Sequence, residues 1–586
     1  MARKLFINAR TFLGQVWRLS SPYWKSEERS RAWFLLIATV GLTLALVYMA
    51  VLFNDWNRVF YNALEQKNAQ DFKDLLLYFS FLAALYIGIA VFRVYLRQML
   101  TMRWRVWLTR QYLEEWLDDQ VYYRLELDAH GTDNPDQRIA EDLRLFTEGT
   151  IVLGLGVLNA VVTVVSFVVI LWTVSGPISF ALGGTSFTVP GYMVWVAVVY
   201  ALAASVLSHL IGRPLIRLNF QQQRLEADFR FNLVRLRENA EGVALYHGEG
   251  PETQGLLSRF ERLRLNWWGL MDCTKRLTYF TAGYTQVALV FPFIVAAPRY
   301  FSGALTLGGL MQVANAFGEV QTALSWFVNA YTDIAEWKAS VDRLLTFQKA
   351  LDETSAEARH HQGVQLQPGS RPDLEAEGID LALPGREGLE GRVILSGASL
   401  KVKPGERVLV TGPSGSGKST LFRALAGIWP YGRGEVRLPA GARVLFLPQK
   451  PYIPVASLRD AVTYPAARGS FGDEAVREAL ALVDLEPFAS RLDDEQNWSM
   501  QMSPGEQQRL AVARALLYRP DWLFLDEATA SLNDALEAKL YTLMQQRLPG
   551  TAFISIAHRA NVARFHAREY QLLPEGASGR LLEQHA

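Results

Sequence analysis

The chain has 586 residues, too many for a single hydrophobic core, so two or three domains are expected. Half of the residues are hydrophobic and 20% are charged, and the long apolar runs fill roughly the first 330 positions. The net charge of +1 argues against a nucleic-acid-binding protein, and the single cysteine, Cys273, excludes an intrachain disulfide and multi-cysteine metal sites.

Long apolar segments predict membrane helices in the N-terminal half. A helix needs about 20 apolar residues to cross the hydrocarbon core. The segments that meet this requirement are 33–53, 75–96, 150–173, 190–211, 279–297 and 305–331. One such run could be a buried helix of a soluble protein, but five clear ones favour a membrane domain. Because the first run is long enough to span, no cleavable signal peptide is predicted.

The loops between these segments differ in basic charge, which predicts their side of the membrane. Lys and Arg number seven in 1–32, six in 101–149, eleven in 212–278, three in 54–74, none in 174–189 and one in 298–304. Basic loops remain in the cytoplasm, so both termini are predicted to be cytoplasmic.

The long loop after the second segment contains the run Asn134-Pro135-Asp136-Gln137, which is typical of a helix start. Asn would cap the helix, Pro would be its first residue and Gln would complete a capping box. A short helix here could contact a soluble domain, and a plain turn is an equal alternative.

The sixth segment carries polar residues at spacings of three and four, which places them on one helical face. They are Gln312, Asn315, Glu319, Thr322, Trp326, Asn329 and Asp333. Polar groups are expensive in lipid, so this face should line water or protein. We predict a hydrophilic cavity with Gln312, Asn315, Glu319 and Asn329 as candidates, and a hydrogen-bonded helix interface is the alternative.

The composition changes after Phe347. Residues 1–349 are predicted to form the transmembrane domain, 350–375 a linker and 376–586 a soluble α/β domain. The α/β domain contains the run GPSGSGKST, between a strand at 407–411 and a helix that continues through 421–427. Strand, glycine-rich loop and helix are the context of an ATP-binding phosphate loop.

In such a loop, backbone N–H groups and the helix N-terminus hold the phosphates. The predicted ATP-binding residues here are Gly412, Ser414, Gly415, Ser416, Gly417, Lys418, Ser419 and Thr420. Lys418 would reach the β- and γ-phosphates, and Ser419 would bind Mg²⁺.

A second motif, Trp522–Glu527, is an apolar strand that ends in two carboxylates. Asp526 suits Mg²⁺ and Glu527 can polarise the attacking water. An acid pair at a strand end could also cap a helix, but a phosphate loop in the same domain favours catalysis.

These motifs resemble the ABC (ATP-binding cassette) family, and its other elements follow in the family's order. Gln449 is similar to the glutamine that senses Mg²⁺ and the membrane domain, and the run 502–509 resembles the signature. In the family, the signature binds the γ-phosphate of ATP held by the other subunit, which implies a homodimer and roles for Ser503, Gly505 and Glu506. Residues 530–533 resemble the D-loop, and His558 resembles the catalytic switch histidine.

The sequence departs from the family pattern in three places. Pro504 stands where the signature has its first glycine, and Asn533 replaces the D-loop aspartate. No aromatic residue occurs between Arg371 and Leu409, so Leu383 or Pro384 would have to pack on the adenine.

Runs in the N-terminal half narrow the resemblance to peroxisomal fatty-acyl ABC transporters and a bacterial group of importers. These runs are 134–142, 226–231, 239–249 and 336–340. The resemblance implies a six-helix, exporter-like membrane fold in the bacterial cytoplasmic membrane, with membrane lipid around it. It also implies uptake of antimicrobial peptides, bleomycin or cobalamin, and an exporter or a lipid or fatty-acyl translocator is the alternative.

Overall fold

The computed structural model describes residues 2–127, 134–182, 185–359, 363–385, 391–557, 560–575 and 578–584. The chain divides into two compact units. We call Met1–Leu113 with Asn134–Phe347 the membrane unit, and Glu114–Asp133 with Gln348–Ala586 the cassette unit.

Long helices dominate the first part of the chain. In order they are α1 (Ala2–Lys25), α2 (Arg29–Glu65), α3 (Ala69–Leu117), α4 (Val121–Leu127), α5 (Pro135–Gln137), α6 (Leu143–Ser175), α7 (Tyr192–Glu238), α8 (Ala240–Leu245), α9 (Glu249–Phe301), α10 (Leu307–Asn329) and α11 (Tyr331–Arg359). A 3₁₀ turn (Asp118–Gln120) lies between α3 and α4, and a π turn (Arg138–Asp142) lies between α5 and α6. The antiparallel strands β1 (Ile178–Leu182) and β2 (Thr185–Val189) lie between α6 and α7.

Within the described residues, five helical stretches are long and apolar enough to cross a membrane. They are Arg29–Glu65, Ala69–Leu127, Pro135–Ser175, Tyr192–Glu238 and Glu249–Phe301. The first five predicted segments are therefore confirmed. The sixth corresponds to α10, a helix of 23 residues whose polar side chains lower its apolar content.

Helix α10 lies inside the membrane unit, in contact with α2, α6, α7 and α9. Val313, Phe317 and Val320 are fully buried there, in a cluster that also contains Phe167 and Met193. Close packing at the start of α10 depends on Gly308, since a methyl group at this position would overlap the carbonyl oxygen of Arg58.

The predicted helix start at Asn134 is correct, but the capping box is wrong. Asn134 has a left-handed backbone (φ 47°) and its side chain makes no capping hydrogen bond. The side chain of Gln137 donates to Glu141 Oε2 at 3.1 Å instead. The turn also continues directly into the π turn and α6, so it is the beginning of a long helix.

The structure also differs from the linker prediction for 350–375. Helix α11 continues to Arg359 because its polar sequence includes buried positions such as Leu351 and Thr354. Strand β3 (Gln365–Gly369) follows and pairs with a strand of the main sheet. The polar composition of 350–375 therefore did not indicate the helix and strand that the segment contains.

The cassette unit is built on a mixed sheet of ten strands among the described residues, in the order β3-β7-β4-β5-β14-β13-β6-β12-β11-β8. Its other strands are β4 (Leu374–Ala382), β5 (Val393–Val402), β6 (Arg407–Thr411), β7 (Gly432–Pro439), β8 (Val444–Leu447), β11 (Trp522–Asp526), β12 (Ala552–Ile556), β13 (Arg568–Glu575) and β14 (Ser578–Gln584). A separate small pair is formed by β9 (Ala456–Ser457) and β10 (Glu495–Gln496).

Helices cover this sheet. They are α12 (Lys418–Leu425), α13 (Leu458–Thr463), α14 (Asp473–Leu482), α15 (Trp498–Gln501), α16 (Pro504–Tyr518) and α17 (Asp534–Arg547), with 3₁₀ turns at Glu486–Arg491 and Ala560–Phe565. Alternate residues of β6 enter different cores: Leu409 packs in one cluster, and Val408 and Val410 pack in the other. This alternation is expected of a strand buried on both faces.

Strands β13, β6, β12, β11 and β8 run parallel to their neighbours in this part of the sheet. Their carboxyl ends therefore lie at one edge, which is where open α/β sheets bind ligands. The phosphate loop, Gln449 and Glu527 all follow strands that end at this edge.

Candidate active site

The phosphate loop connects β6 to α12. Gly412, Gly415 and Gly417 all have positive φ (147°, 76° and 97°), a backbone that side chains rarely tolerate. At Gly412 a methyl group would come within 2.5 Å of the carbonyl oxygen of Leu572. These glycines therefore shape the loop so that its N–H groups can converge on an anion.

Lys418 is only 5% exposed, and its ammonium donates to the carbonyl oxygens of Gly412 and Pro413, both at 2.8 Å. The Lys418 side chain thus folds back over the phosphate loop, which would also hold the phosphates of a bound nucleotide. Ser414 is exposed on the loop and Thr420 is buried in the first turn of α12.

The donor set fits Mg²⁺ and a phosphate. Ser419 Oγ donates to Asp526 Oδ1 at 3.2 Å, so a hydroxyl and a carboxylate stand together as Mg²⁺ requires. Ser416 Oγ is buried and has no hydrogen-bond partner among the described residues, so a phosphate oxygen would satisfy it.

The electrostatics agree with this fit. Burial raises the pKa of Asp526, against the opposing effect of the Ser419 hydrogen bond. Burial lowers the pKa of Lys418, against the opposing effect of the Glu527 and Asp526 carboxylates. The charged forms of Asp526 and Lys418 are thus both poorly solvated. A metal-bound nucleotide would supply a cation for the Asp526 carboxylate and an anion for the Lys418 ammonium.

Glu527 follows the end of β11 with a left-handed backbone (φ 49°), an uncommon conformation for a residue other than glycine. Its N–H donates to the carbonyl oxygen of Ile556 at 3.1 Å, and its Oε2 accepts from Gln449 Nε2 at 3.1 Å. The structure thus brings together two of the predicted catalytic side chains. His558 lies outside the described residues, two positions after the end of β12.

Gln508 belongs to the signature run but received no role from sequence reasoning. Its side chain is buried, and its amide donates to the carbonyl oxygen of Gln449 at 3.0 Å and accepts from Ser531 N–H at 2.9 Å. It therefore joins the loop that holds Gln449 to the D-loop. Its place inside a recognised motif was the one signal that could have identified it.

The signature forms the start of α16. Ser503 caps this helix in a capping box with Glu506, whose side chain accepts from Ser503 N–H at 2.8 Å. Pro504 occupies the first helical position, where the missing N–H breaks no helical hydrogen bond. The proline is therefore compatible with the helix, and Ser503 remains exposed beside Gly505.

The other two departures also have a local explanation. Asn533 caps α17, and its Oδ1 accepts from Leu536 N–H at 2.9 Å, which aspartate would do equally well. Leu383 is exposed after β4, and a methyl group at Gly417 would come within 3.4 Å of Ile394. An aliphatic side chain, that of Ile394, thus lies beside the phosphate loop.

Comparisons with known proteins agree with this geometry. The family "ABC transporter transmembrane region 2" matches residues 19–301, and the family "ABC transporter" matches residues 395–530. The inner membrane ABC transporter ATP-binding protein YddA of Escherichia coli is 34% identical over 95% of this chain and 97% of its own length. The chloroplastic ABC transporter D family member 2 of Arabidopsis thaliana is 33% identical over 96% of this chain and 86% of its own.

The human lysosomal cobalamin transporter ABCD4 is more distant, at 26% identity over 96% of this chain and 94% of its own. The two family matches cover a membrane region and a cassette, and the cassette family binds ATP with Mg²⁺. The chain therefore belongs to the ABC transporter family, as a half-transporter whose ATPase activity is coupled to transport across a membrane.

Proposed function

We propose that two copies of this chain form an importer in the bacterial cytoplasmic membrane. Its cargo is hydrophilic or peptide-like, a class that includes antimicrobial peptides, bleomycin and cobalamin. The name of the human relative supports cobalamin, and that of the Escherichia coli relative supports the inner membrane. The observation that supports the proposal most directly is a row of exposed polar side chains on α10.

Asn315, Glu319, Thr322 and Asn329 are all exposed in this chain, although α10 packs against four other helices. We call these four residues the polar stripe. Amides and a carboxylate facing lipid would be costly, so the stripe is better explained as the wall of an aqueous chamber. A second copy of the chain would close that chamber.

Gln312 differs from the other three cavity candidates. It is only 5% exposed, and its backbone carbonyl accepts from Asn54 Nδ2 of α2 at 3.1 Å. Helical spacing places Gln312 in line with the stripe, but the close approach of α2 covers the first turns of α10. The chamber we propose therefore begins at Asn315.

A homodimer follows from the composition of the ATP site. Each chain carries one phosphate loop and one signature, and family resemblance pairs the loop of one subunit with the signature of the other. Ser503 and Gly505 would then bind ATP held by the second copy. Both termini lie in the cytoplasm in this arrangement, which the basic loops support.

Single cysteines along α10 test the chamber. In a Cys273→Ala background, cysteines at Asn315, Glu319, Thr322 and Asn329 should react with a water-soluble maleimide, because water reaches them. Cysteines at Val313 and Val320 are matched controls in the same helix and should react at least about tenfold more slowly, since both side chains are fully buried.

The labelling pattern distinguishes the alternatives. Fast labelling that follows the stripe, in intact membranes, supports the chamber. Labelling that is equally slow at stripe and control positions would place the stripe in a dry helix interface and contradict the proposal.

A further inference from the structure

A buried ion cluster lies at the start of α6. Asp142 is only 1% exposed, and its carboxylate pairs with Arg138 from the same π turn and with Arg343 from α11. Arg343 binds it in a forked geometry, with Nε donating to Oδ2 at 3.0 Å and Nη2 donating to Oδ1. We call Arg138, Asp142 and Arg343 the Asp142 clamp.

The clamp and a second contact, among the described residues, join the α6 region to α11. Further along α6, Trp337 Nε1 donates to Thr150 Oγ1 at 2.9 Å, and a methyl group at Gly149 would overlap the Trp337 ring. The order of the contacts, 142 with 343 and 150 with 337, means that the two helices run antiparallel. Together they fix both the distance and the register of α6 and α11.

Both helices lie close in sequence to segments of the cassette unit, and α11 itself continues into that unit. The chain enters the membrane unit at Asn134, eight residues before Asp142, and α11 enters the cassette unit after Phe347, four residues beyond Arg343. In the cassette unit, Leu127 of α4 packs against the core beneath the sheet, and Gln348 Nε2 donates to Glu115 Oε2 at 3.1 Å.

We propose that Asp142 is a positioning residue for transport. By holding Arg343, it makes α6 and α11 move as one piece when ATP binding displaces the cassette segments to which they are joined. Sliding of the helices is disfavoured, because it would take one of its two cationic partners from a carboxylate that is only 1% exposed and would break the fork with Arg343. The inference rests on ATP-driven transport and is independent of the cargo and its direction.

An ion cluster of this kind differs from the exposed pairs nearby. Lys338 and Asp342, also on α11, are paired at 3.5 Å with both side chains more than half exposed. Exposed pairs contribute little. Asp342→Asn is therefore a matched control that changes a charge next to Arg343 without touching the clamp.

Hydrogen–deuterium exchange of the full-length protein in lipid nanodiscs tests the proposal. Exchange is compared without nucleotide and with ATP, Mg²⁺ and orthovanadate. In the unmodified protein and in Asp342→Asn, nucleotide should alter exchange both in the phosphate loop, 412–420, and in the start of α6, 143–150. In Arg343→Gln the loop should respond as before, while the response of 143–150 should fall at least about threefold.

The unaltered loop response shows that the Arg343→Gln protein is folded and binds nucleotide, and Arg343→Lys, which keeps the charge, should recover part of the response in 143–150. A merely structural role would change exchange of 143–150 equally with and without nucleotide. The proposal is overturned if Arg343→Gln retains the full nucleotide response, or if the unmodified protein has none in 143–150.

Discussion

Replacing Glu527 by Gln should lower ATP turnover about 10²- to 10⁴-fold, the usual loss when a positioned general base is removed. The amide keeps the shape of the side chain, and Gln449 can still bond its carbonyl oxygen, so the local geometry should survive. Nucleotide binding should remain, because the phosphate loop is unchanged. Phosphate release and binding of a fluorescent ATP analogue measure the two properties separately.

The control for this variant is Glu478→Gln, which removes a carboxylate from the surface of the same unit, where it pairs with Arg547 at 3.2 Å. Its turnover should equal that of the unmodified protein. Mass photometry of the Glu527→Gln protein with ATP should find two 65.9 kDa chains per particle. A loss of only a few-fold in turnover would mean that Glu527 is not the base.

Replacing Lys418 by Ala should weaken ATP binding by about 10- to 100-fold, since hydrogen bonds from a charged donor contribute about 1.5–3 kcal/mol. The Lys418 ammonium already lies over the phosphate loop, so it is in place to contact the phosphates when ATP binds. Its removal should therefore take that contact away. Calorimetric titration with a non-hydrolysable ATP analogue gives the affinity.

Lys401→Ala is the matched control, because this exposed lysine pairs with Glu375 on strands away from the phosphate loop. Its affinity should be unchanged. If Lys418→Ala bound nucleotide as tightly as the control, the lysine would not contact the phosphates in the bound state.

The cassette could be predicted from sequence because its chemistry lies at strand ends. Gly412 and Gln449 follow the strands β6 and β8, and Asp526 ends β11. These strands belong to the parallel part of the sheet, where the carboxyl ends lie at one edge. Motif order was therefore enough to predict that the phosphate loop, the end of β11 and the loop after β8 lie at the same edge of the sheet. The membrane spans were equally accessible, because their length and apolar content are local properties.

The features that could not be predicted from the sequence depend on contacts between residues that are distant in the chain. Gln312 matches the period of the polar stripe, but the packing of α2, more than 250 positions earlier, buries it. Asp142 and Arg343 are 201 positions apart, and no local pattern pairs them. The continuation of α11 through a polar segment likewise depends on what its few apolar side chains contact.

Transport in sealed vesicles tests the central claim, which is ATP-driven uptake of hydrophilic cargo. Vesicles that contain the purified protein are loaded with a fluorescent cationic peptide, and ATP is added outside, so that only molecules with an external cassette are active. An importer moves cargo toward the cassette, so the lumenal peptide should fall. Glu527→Gln should abolish the loss, and Glu319→Gln should slow it more for a cationic than for a neutral peptide. ATP-driven accumulation in the lumen when the peptide is instead supplied outside empty vesicles, or ATP-driven movement of labelled lipid or fatty-acyl chains without peptide loss, would contradict the account.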